Sequence, residues 1–210
     1  MVRLWARMVV KIFGIQLHLK GQSPHPPFFL VSNHLSYIDI ILFFAQFNCI
    51  FVARADLKNW PILGLLAKSV DTLFINRYSK KDIPRVNALI DKAIHESDSI
   101  IVFAEGTSTK GSEVLPFKSS LLEFAAAKKF PVSYATIHYR TGAADPPAHL
   151  AVSWWGNMTF IPHFLELLKL SRIDATITFG AATVQGDDRK SLAQELWRRL
   201  DEQFVPTVDE

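Results

Sequence analysis

Hydrophobic and polar positions along the chain change period repeatedly, and each change marks an element. Residues 3–13 place Arg3, Arg7 and Lys11 four apart, with Leu4, Trp5, Met8, Val9, Ile12 and Phe13 filling the rest of the helical circumference. That pattern predicts an N-terminal amphipathic helix over residues 1–14. It reads equally as a helix lying in a membrane interface or as one packed on its own domain with three solvated charges. Ile15-Gln16-Leu17-His18-Leu19-Lys20 alternates strictly, predicting a half-buried strand with His18 on its wet face and no chemical task for that histidine.

After the turn 21–27, Phe28-Phe29-Leu30-Val31 is a short, continuous apolar run of the kind found in internal strands. Similar runs recur at 49–53, 72–75, 99–103, 131–138, 150–155 and 175–179, with helical patterns near 37–46, 80–96, 117–128 and 188–204 between them. Strands alternating with helices predict an α/β fold, a mixed and partly parallel sheet flanked by helices, forming one domain over residues 15–205. Leu192, Leu196, Leu200 and Phe204 give the last helix a packing stripe. The apolar segment 57–66, with Trp60, Pro61, Ile62, Leu63, Leu65 and Leu66, reads as the lining of an acyl groove, as a segment dipping into lipid, or equally as an internal helix.

Composition then narrows the environment. Of 210 residues 49% are hydrophobic, Phe alone numbers 16 and mean hydropathy is +0.15, which leaves apolar surface to face lipid. The 23 basic residues against 20 acidic ones give a net charge of +3, suited to an anionic headgroup layer and too even for a nucleic-acid binder. No stretch reaches eighteen uncharged apolar residues, so no bilayer span is expected. Lys11 interrupts the N-terminal apolar stretch and no small-residue cleavage site follows, which argues against a secretory signal peptide. The single cysteine, Cys49, in an apolar strand pattern, excludes an intramolecular disulfide framework. The seven histidines lack paired ligand spacing, so no metal is expected.

The segment Asn33-His34-Leu35-Ser36-Tyr37-Ile38-Asp39 joins a strand to an apolar helix, and Ser36 followed by Asp39 is a capping-box pattern that predicts a helix start at about Tyr37. On one continuous helix, five residues would turn His34 and Asp39 about 140° apart. His34 therefore belongs to the loop, where its imidazole can fold over the helix's first turn and meet Asp39. The carboxylate would then fix the tautomer and leave the other ring nitrogen to accept a proton, although Asp39 could also serve only as a helix cap.

The ordered set of motifs is more specific than this pair. Asn33-His34-Leu35-Ser36-Tyr37-Ile38-Asp39 resembles the Asn-His-x-x-x-x-Asp block of the glycerol-phosphate and lysophosphatidic acid acyltransferase superfamily. Arg54-Ala55-Asp56-Leu57 with Pro61 and Gly64, Leu73-Phe74-Ile75-Asn76-Arg77, Phe103-Ala104-Glu105-Gly106-Thr107-Ser108 and Phe130-Pro131-Val132 resemble the superfamily's later blocks, in order, over roughly residues 15–140. The resemblance implies an O-acyltransferase with His34 and Asp39 as catalytic residues. It places Arg77, Glu105, Gly106, Thr107, Ser108 and Lys118 at the substrate, with backbone N–H groups near Gly106-Thr107 for the oxyanion. It implies acyl-CoA or acyl carrier protein as donor, a lysophospholipid acceptor, 1-acyl-glycerol-3-phosphate first among them, and no cofactor. Peripheral work on the cytoplasmic face of a membrane goes with it.

One departure stands out. Ser108 occupies the place of the family's usual phosphate-binding arginine and Ala104 that of its common proline. Either Arg77, Lys110 or Lys118 substitutes, helped by N–H groups at the start of the helix after Pro116, or the acceptor lacks a terminal phosphate, as in lyso-ornithine lipid. A hydrolase would need a nucleophile of its own. Gly106-Thr107-Ser108-Thr109-Lys110 approaches Gly-x-Ser-x-Gly but ends in lysine, and Cys49 lies in an apolar strand that would blunt its thiol.

Overall fold

The structure is a computed structural model that describes residues 1–60, 62–76 and 81–208. In chain order, α1 (Val2–Ile12) leads into β1 (Ile15–Lys20), followed by β2 (Phe29–Ser32), α2 (Ile38–Gln46) and β3 (Cys49–Arg54). A 3-10 turn over Ala55–Asn59 precedes α3 (Leu63–Ser69) and β4 (Leu73–Ile75), then α4 (Asp82–His95) and β5 (Ser99–Phe103). A second 3-10 turn (Ser119–Leu122) runs into α5 (Glu123–Ala127), and β6 (Val132–Thr141), α6 (Ala148–Ala151), α7 (Phe160–Leu167), β7 (Ile173–Phe179) and α8 (Arg189–Gln203) follow.

The strands form one sheet in the order β1-β7-β6-β2-β5-β3-β4. Every neighbouring pair is parallel except β6 and β7. Alternation along the central strands feeds two separate cores. Leu30 of β2 with Ile101 and Phe103 of β5 joins one, beneath α2, α6 and α7. Phe29 and Val31 with Ile100 and Val102 join the other, against α4, α5 and α8. The central strands are buried on both faces, which is why they read as unbroken apolar runs. The packing stripe of α8 is buried at Leu192, Leu196 and Leu200, as its spacing predicts.

Helix α1 turns Ala6 inward, and the Arg7 side chain donates to the carbonyl of Ala45 at 3.0 Å, capping the last turn of α2. Leu4, Met8 and Ile12 remain exposed. No helix among the described residues is long and apolar enough to cross a membrane.

Three expectations need correction. Residues 150–155 are not a strand: Ala148–Ala151 is a helical turn, and the two tryptophans after it donate their indole N–H groups to the carbonyls of Met158 and His149. A run of six apolar residues does not by its period separate strand from helix. The helical pattern at 117–128 shortens to the second 3-10 turn and α5, because the Lys118 N–H donates to the Ala104 carbonyl at 2.8 Å and keeps that end extended. The segment around 57–66 is no internal helix: of α3 only Gly64 is buried, where a Cβ would stand 2.7 Å from the carbonyls of Leu57 and Lys58. Trp60, Ile62, Leu65 and Leu66 face outward. Helix α7, with Pro162 in its first turn, was not anticipated.

Candidate active site

The site lies at the carboxyl ends of β2 and β5, where parallel strands side by side deliver their following loops to the same edge. Asn33, the first residue beyond β2, continues the sheet with its side chain. Its carboxamide donates to the Ile137 carbonyl at 3.0 Å and accepts from the Ile137 N–H at 2.7 Å, standing in for a peptide unit against β6. His34 is thereby placed at a fixed height above the strand ends, in the loop before α2, as its spacing to Asp39 requires.

The His34 Nδ1 stands 2.8 Å from Asp39 Oδ2. A fully buried carboxylate can only accept, so Nδ1 carries the proton and Nε2 presents its lone pair. The same Oδ2 takes the N–H groups of Leu35 at 2.7 Å and Ser36 at 3.0 Å, and the Tyr139 hydroxyl of β6 donates to Oδ1 at 2.6 Å. Asp39 thus both caps the entry to α2 and orients the imidazole, so the two readings of its role coexist. The capping box is only half formed, since the Ser36 hydroxyl is buried without a partner among the described residues, and α2 begins at Ile38. Burial and the adjacent Asp39 charge hold the Tyr139 phenol well above its ordinary range, so it remains a donor.

Glu105 follows β5 and is buried. Its Oε1 accepts the His34 N–H at 2.8 Å and its Oε2 the Leu115 N–H at 2.9 Å. Both oxygens therefore brace loops, the one carrying His34 and the one at 115. Burial raises its carboxyl to about 7 despite those two N–H donors, and the Asp39 charge adds to the rise. Gly106 turns the chain at φ +74°. Its N–H donates to the Phe103 carbonyl at 3.0 Å, which removes it as an oxyanion donor. The Thr109 N–H donates to the His34 carbonyl at 2.9 Å, and the Thr207 N–H to the Gly111 carbonyl at 2.8 Å. A Cβ on Gly111 would stand 2.9 Å from that of Thr207 and 3.0 Å from Leu35, so the loop closes only with glycine there.

The remaining anticipated residues fall into two groups. Ser108 is close to the His34 loop: its hydroxyl donates to the Trp154 carbonyl at 2.5 Å, and the Trp154 N–H donates to the Leu35 carbonyl at 2.8 Å. Thr107 is exposed, and so are Lys110 and Lys118. No helix long enough to offer an anion site follows Pro116, since the second 3-10 turn and α5 are short. Arg77 and Pro61 lie outside the described residues. Arg54 and Asp56 form a two-contact ion pair with each other at 3.0 and 2.7 Å.

Sequence reasoning missed two tyrosines. Tyr139 sits one residue past the strand anticipated at 131–138, and the apolar-in alternation of β6 carries on through it. The Tyr37 hydroxyl pairs with His163 Nδ1 at 3.0 Å, while His163 Nε2 meets the Ser153 carbonyl at 3.1 Å. That carbonyl fixes the proton on Nε2, and burial holds His163 below the ordinary imidazole range, so it is a neutral structural link. Tyr37 also meets Trp154 and Phe160 edge to face, and Trp60 meets Trp154, giving an aromatic wall beside the His34 loop.

Such a pair, at the end of a parallel sheet, can draw a proton from a hydroxyl group and hold the resulting imidazolium. Burial pushes the one cysteine thiol, that of Cys49, far up, with Asp98 adding to the rise, so it offers no thiolate nucleophile. Fold and pair together describe an α/β protein with a base poised at the carboxyl edge of its sheet, and the family match supplies the class, a transferase. The chain belongs to the Acyltransferase family, whose model matches residues 14–138. It is 29% identical to the lyso-ornithine lipid O-acyltransferase of Brucella abortus (strain 2308) over 210 residues, 92% of this chain and 78% of that protein. It is 28% identical to the 1-acyl-sn-glycerol-3-phosphate acyltransferase of Neisseria meningitidis serogroup B (strain MC58) over 193 residues, 90% of this chain and 75% of the other. Its fold is similar to the crystal structure of the 1-acyl-sn-glycerophosphate (LPA) acyltransferase PlsC from Thermotoga maritima, with a TM-score of 0.64 at 17% identity, over 96% of this chain and 77% of that one.

Proposed function

We propose that the enzyme acylates the hydroxyl of a lysolipid, using His34 as general base and acyl-CoA or acyl carrier protein as donor. The observation that carries this reading is the Nδ1–Asp39 contact of 2.8 Å, which leaves Nε2 to receive a proton. The acceptor hydroxyl gives its proton to Nε2 as its oxygen attacks the thioester carbonyl, and Asp39 steadies the imidazolium. The tetrahedral species then breaks its C–S bond, the thiolate takes the proton from His34, and ester and free thiol leave. Direct transfer requires no acyl-enzyme and no cofactor. Glu105 acts in this scheme by fixing the loop of His34, and Gly106 by turning the chain beside it. In this reading Ser108 and Thr107 take the acceptor's headgroup and Lys118 is a candidate cation for it, with Arg77 a candidate by its motif alone.

The headgroup has two readings. The 1-acyl-sn-glycerol-3-phosphate acyltransferase of Neisseria supports a phosphomonoester acceptor. Ser108, in the place of a phosphate-binding arginine and committed to the Trp154 carbonyl, favours an acceptor without a terminal phosphate, such as the lyso-ornithine lipid of the Brucella relative. Labelled acyl donors offered to a panel of both acceptors decide between them, because the product names the headgroup. Release of free fatty acid with no acylated product would instead indicate a hydrolase.

Work at a membrane surface fits the same reading. The exposed Leu4, Met8 and Ile12 of α1, flanked by Arg3 and Lys11, would enter the apolar edge of a leaflet while the cations meet anionic headgroups on its cytoplasmic side. Residues 1–14 then serve as the attachment helix of a single catalytic domain spanning 15–205. A lysolipid acceptor resides in the leaflet, so an enzyme held at the interface meets it where it is concentrated.

A further inference from the structure

We propose that Tyr139 is a positioning residue for the transfer, acting through Asp39 to fix the orientation of the carboxylate and the share of its charge that reaches His34. The proposal rests on the reading of His34 as base. Tyr139 is fully buried in β6 and cannot touch a substrate, so any catalytic effect it has must pass through Asp39. The Asp39 carboxylate has one oxygen turned to three donors, the imidazole and the N–H groups of Leu35 and Ser36. Its other oxygen receives the phenol at 2.6 Å, which prevents the group from rotating and drawing Oδ2 away from the ring.

The strand that carries Tyr139 makes this a rigid linkage. The Asn33 carboxamide is bonded in both directions to Ile137, two residues before Tyr139 and on the same face of β6. One strand therefore holds both ends of the catalytic segment, its start through Asn33 and its carboxylate through Tyr139. A donor on Oδ1 also draws negative charge away from Oδ2 and weakens its hold on the imidazolium. Among the described residues, the other titratable groups around the pair are Glu105 after β5, Tyr37 at the entry to α2 and, behind Tyr37, His163 of α7. Substituting Tyr139 leaves all three in place.

Tyr139→Phe keeps the ring and removes only the donor. In full-length protein on mixed micelles, kcat/KM for acyl transfer is measured across pH, with kcat and the acceptor KM separated and thermal unfolding recorded. A hydrogen bond to a charged group is worth enough that kcat falls by roughly tenfold, while the acceptor KM stays within about twofold. The acidic limb of the profile moves to higher pH, since the imidazolium is held more tightly. Replacing Tyr139 with 3-fluorotyrosine retains the hydroxyl as a stronger donor, moves that limb to lower pH, and carries the test if Tyr139→Phe does not fold. A merely structural tyrosine would lower the unfolding temperature and leave the limb in place, and that result overturns the proposal. Limbs that move in the same direction in both variants overturn it as well. Activity that survives His34→Ala would instead overturn the base reading itself, so the two failures are distinct.

Discussion

The imidazole of His34 lies nearly flat on the ring of Phe103, with centroids 4.0 Å apart and an interplanar angle of 11°. Asp39 fixes one edge of the imidazole and Phe103 one face, so the ring is held about two axes and Nε2 is directed by the fold. Phe103 is itself stacked on Phe51 at 5.6 Å, which keeps this backing in register with the core. The π face also favours the charged form created during proton transfer.

Phe103→Leu keeps the position apolar, removes the flat support and leaves a small cavity, at a cost of about 1–3 kcal/mol of stability. The kcat should fall by roughly tenfold with the acceptor KM little changed, in keeping with loss of a contact that matters most in the transition state. Kinetics beside thermal unfolding check this, and an unchanged kcat would remove Phe103 from the account.

Glu105 predicts a pH-dependent stability. Its carboxyl stands at about 7 in the folded chain against an ordinary 4.5, so the folded state favours the protonated form. Its contribution is then fully present below about pH 4.5 and is lost as pH rises through about 7, a change on the order of 3 kcal/mol. Denaturant unfolding of wild type and Glu105→Gln at a series of pH values reads this out. The advantage of the wild type should be largest near pH 5 and shrink towards pH 8; an advantage that grows with pH would show that Glu105 works as a carboxylate anchor.

Membrane attachment by α1 is tested by changing Leu4, Met8 and Ile12 together to Ser. Each exposed side chain that enters lipid contributes about 1.5–3 kcal/mol, so binding to anionic vesicles should fall by more than tenfold. Because these positions are exposed, unfolding should be unchanged. Vesicle flotation at low and high salt provides the measurement, and full binding by the triple variant would place the attachment elsewhere.

The chain's own pattern carried most of the fold, and particular residues explain where it did so. Strands Ile15–Lys20 and Ser99–Phe103 stand at the limits their patterns predict, the first alternating along a wet edge of the sheet and the second buried on both faces at its centre. His34 was assignable to the loop by the angle that five helical residues subtend. What pattern could not reveal depends on contacts distant in sequence. Tyr139 reaches Asp39 across 100 positions, and the lone signal for it was the continued alternation of β6. Glu105 was anticipated as an anchor of the acceptor or of the loop; its two oxygens brace the backbone N–H groups of His34 and Leu115, a pairing no local spacing announces. Leu150 to Trp155 misled because apolar content alone does not fix a period. Gly106 was available as an oxyanion donor until its turn engaged the N–H with Phe103.

The central claim is that His34 takes the proton of the acceptor hydroxyl, and the most direct measurement is the rate of labelled acyl transfer from acyl-CoA or acyl carrier protein to the preferred lysolipid in wild type, His34→Ala and Asp39→Asn. His34→Ala should lose about 10² to 10⁴ of kcat while remaining folded, and Asp39→Asn, which turns an amide towards donors, should lose a comparable factor. Transfer to the same acceptor at an undiminished rate in folded His34→Ala would contradict that claim.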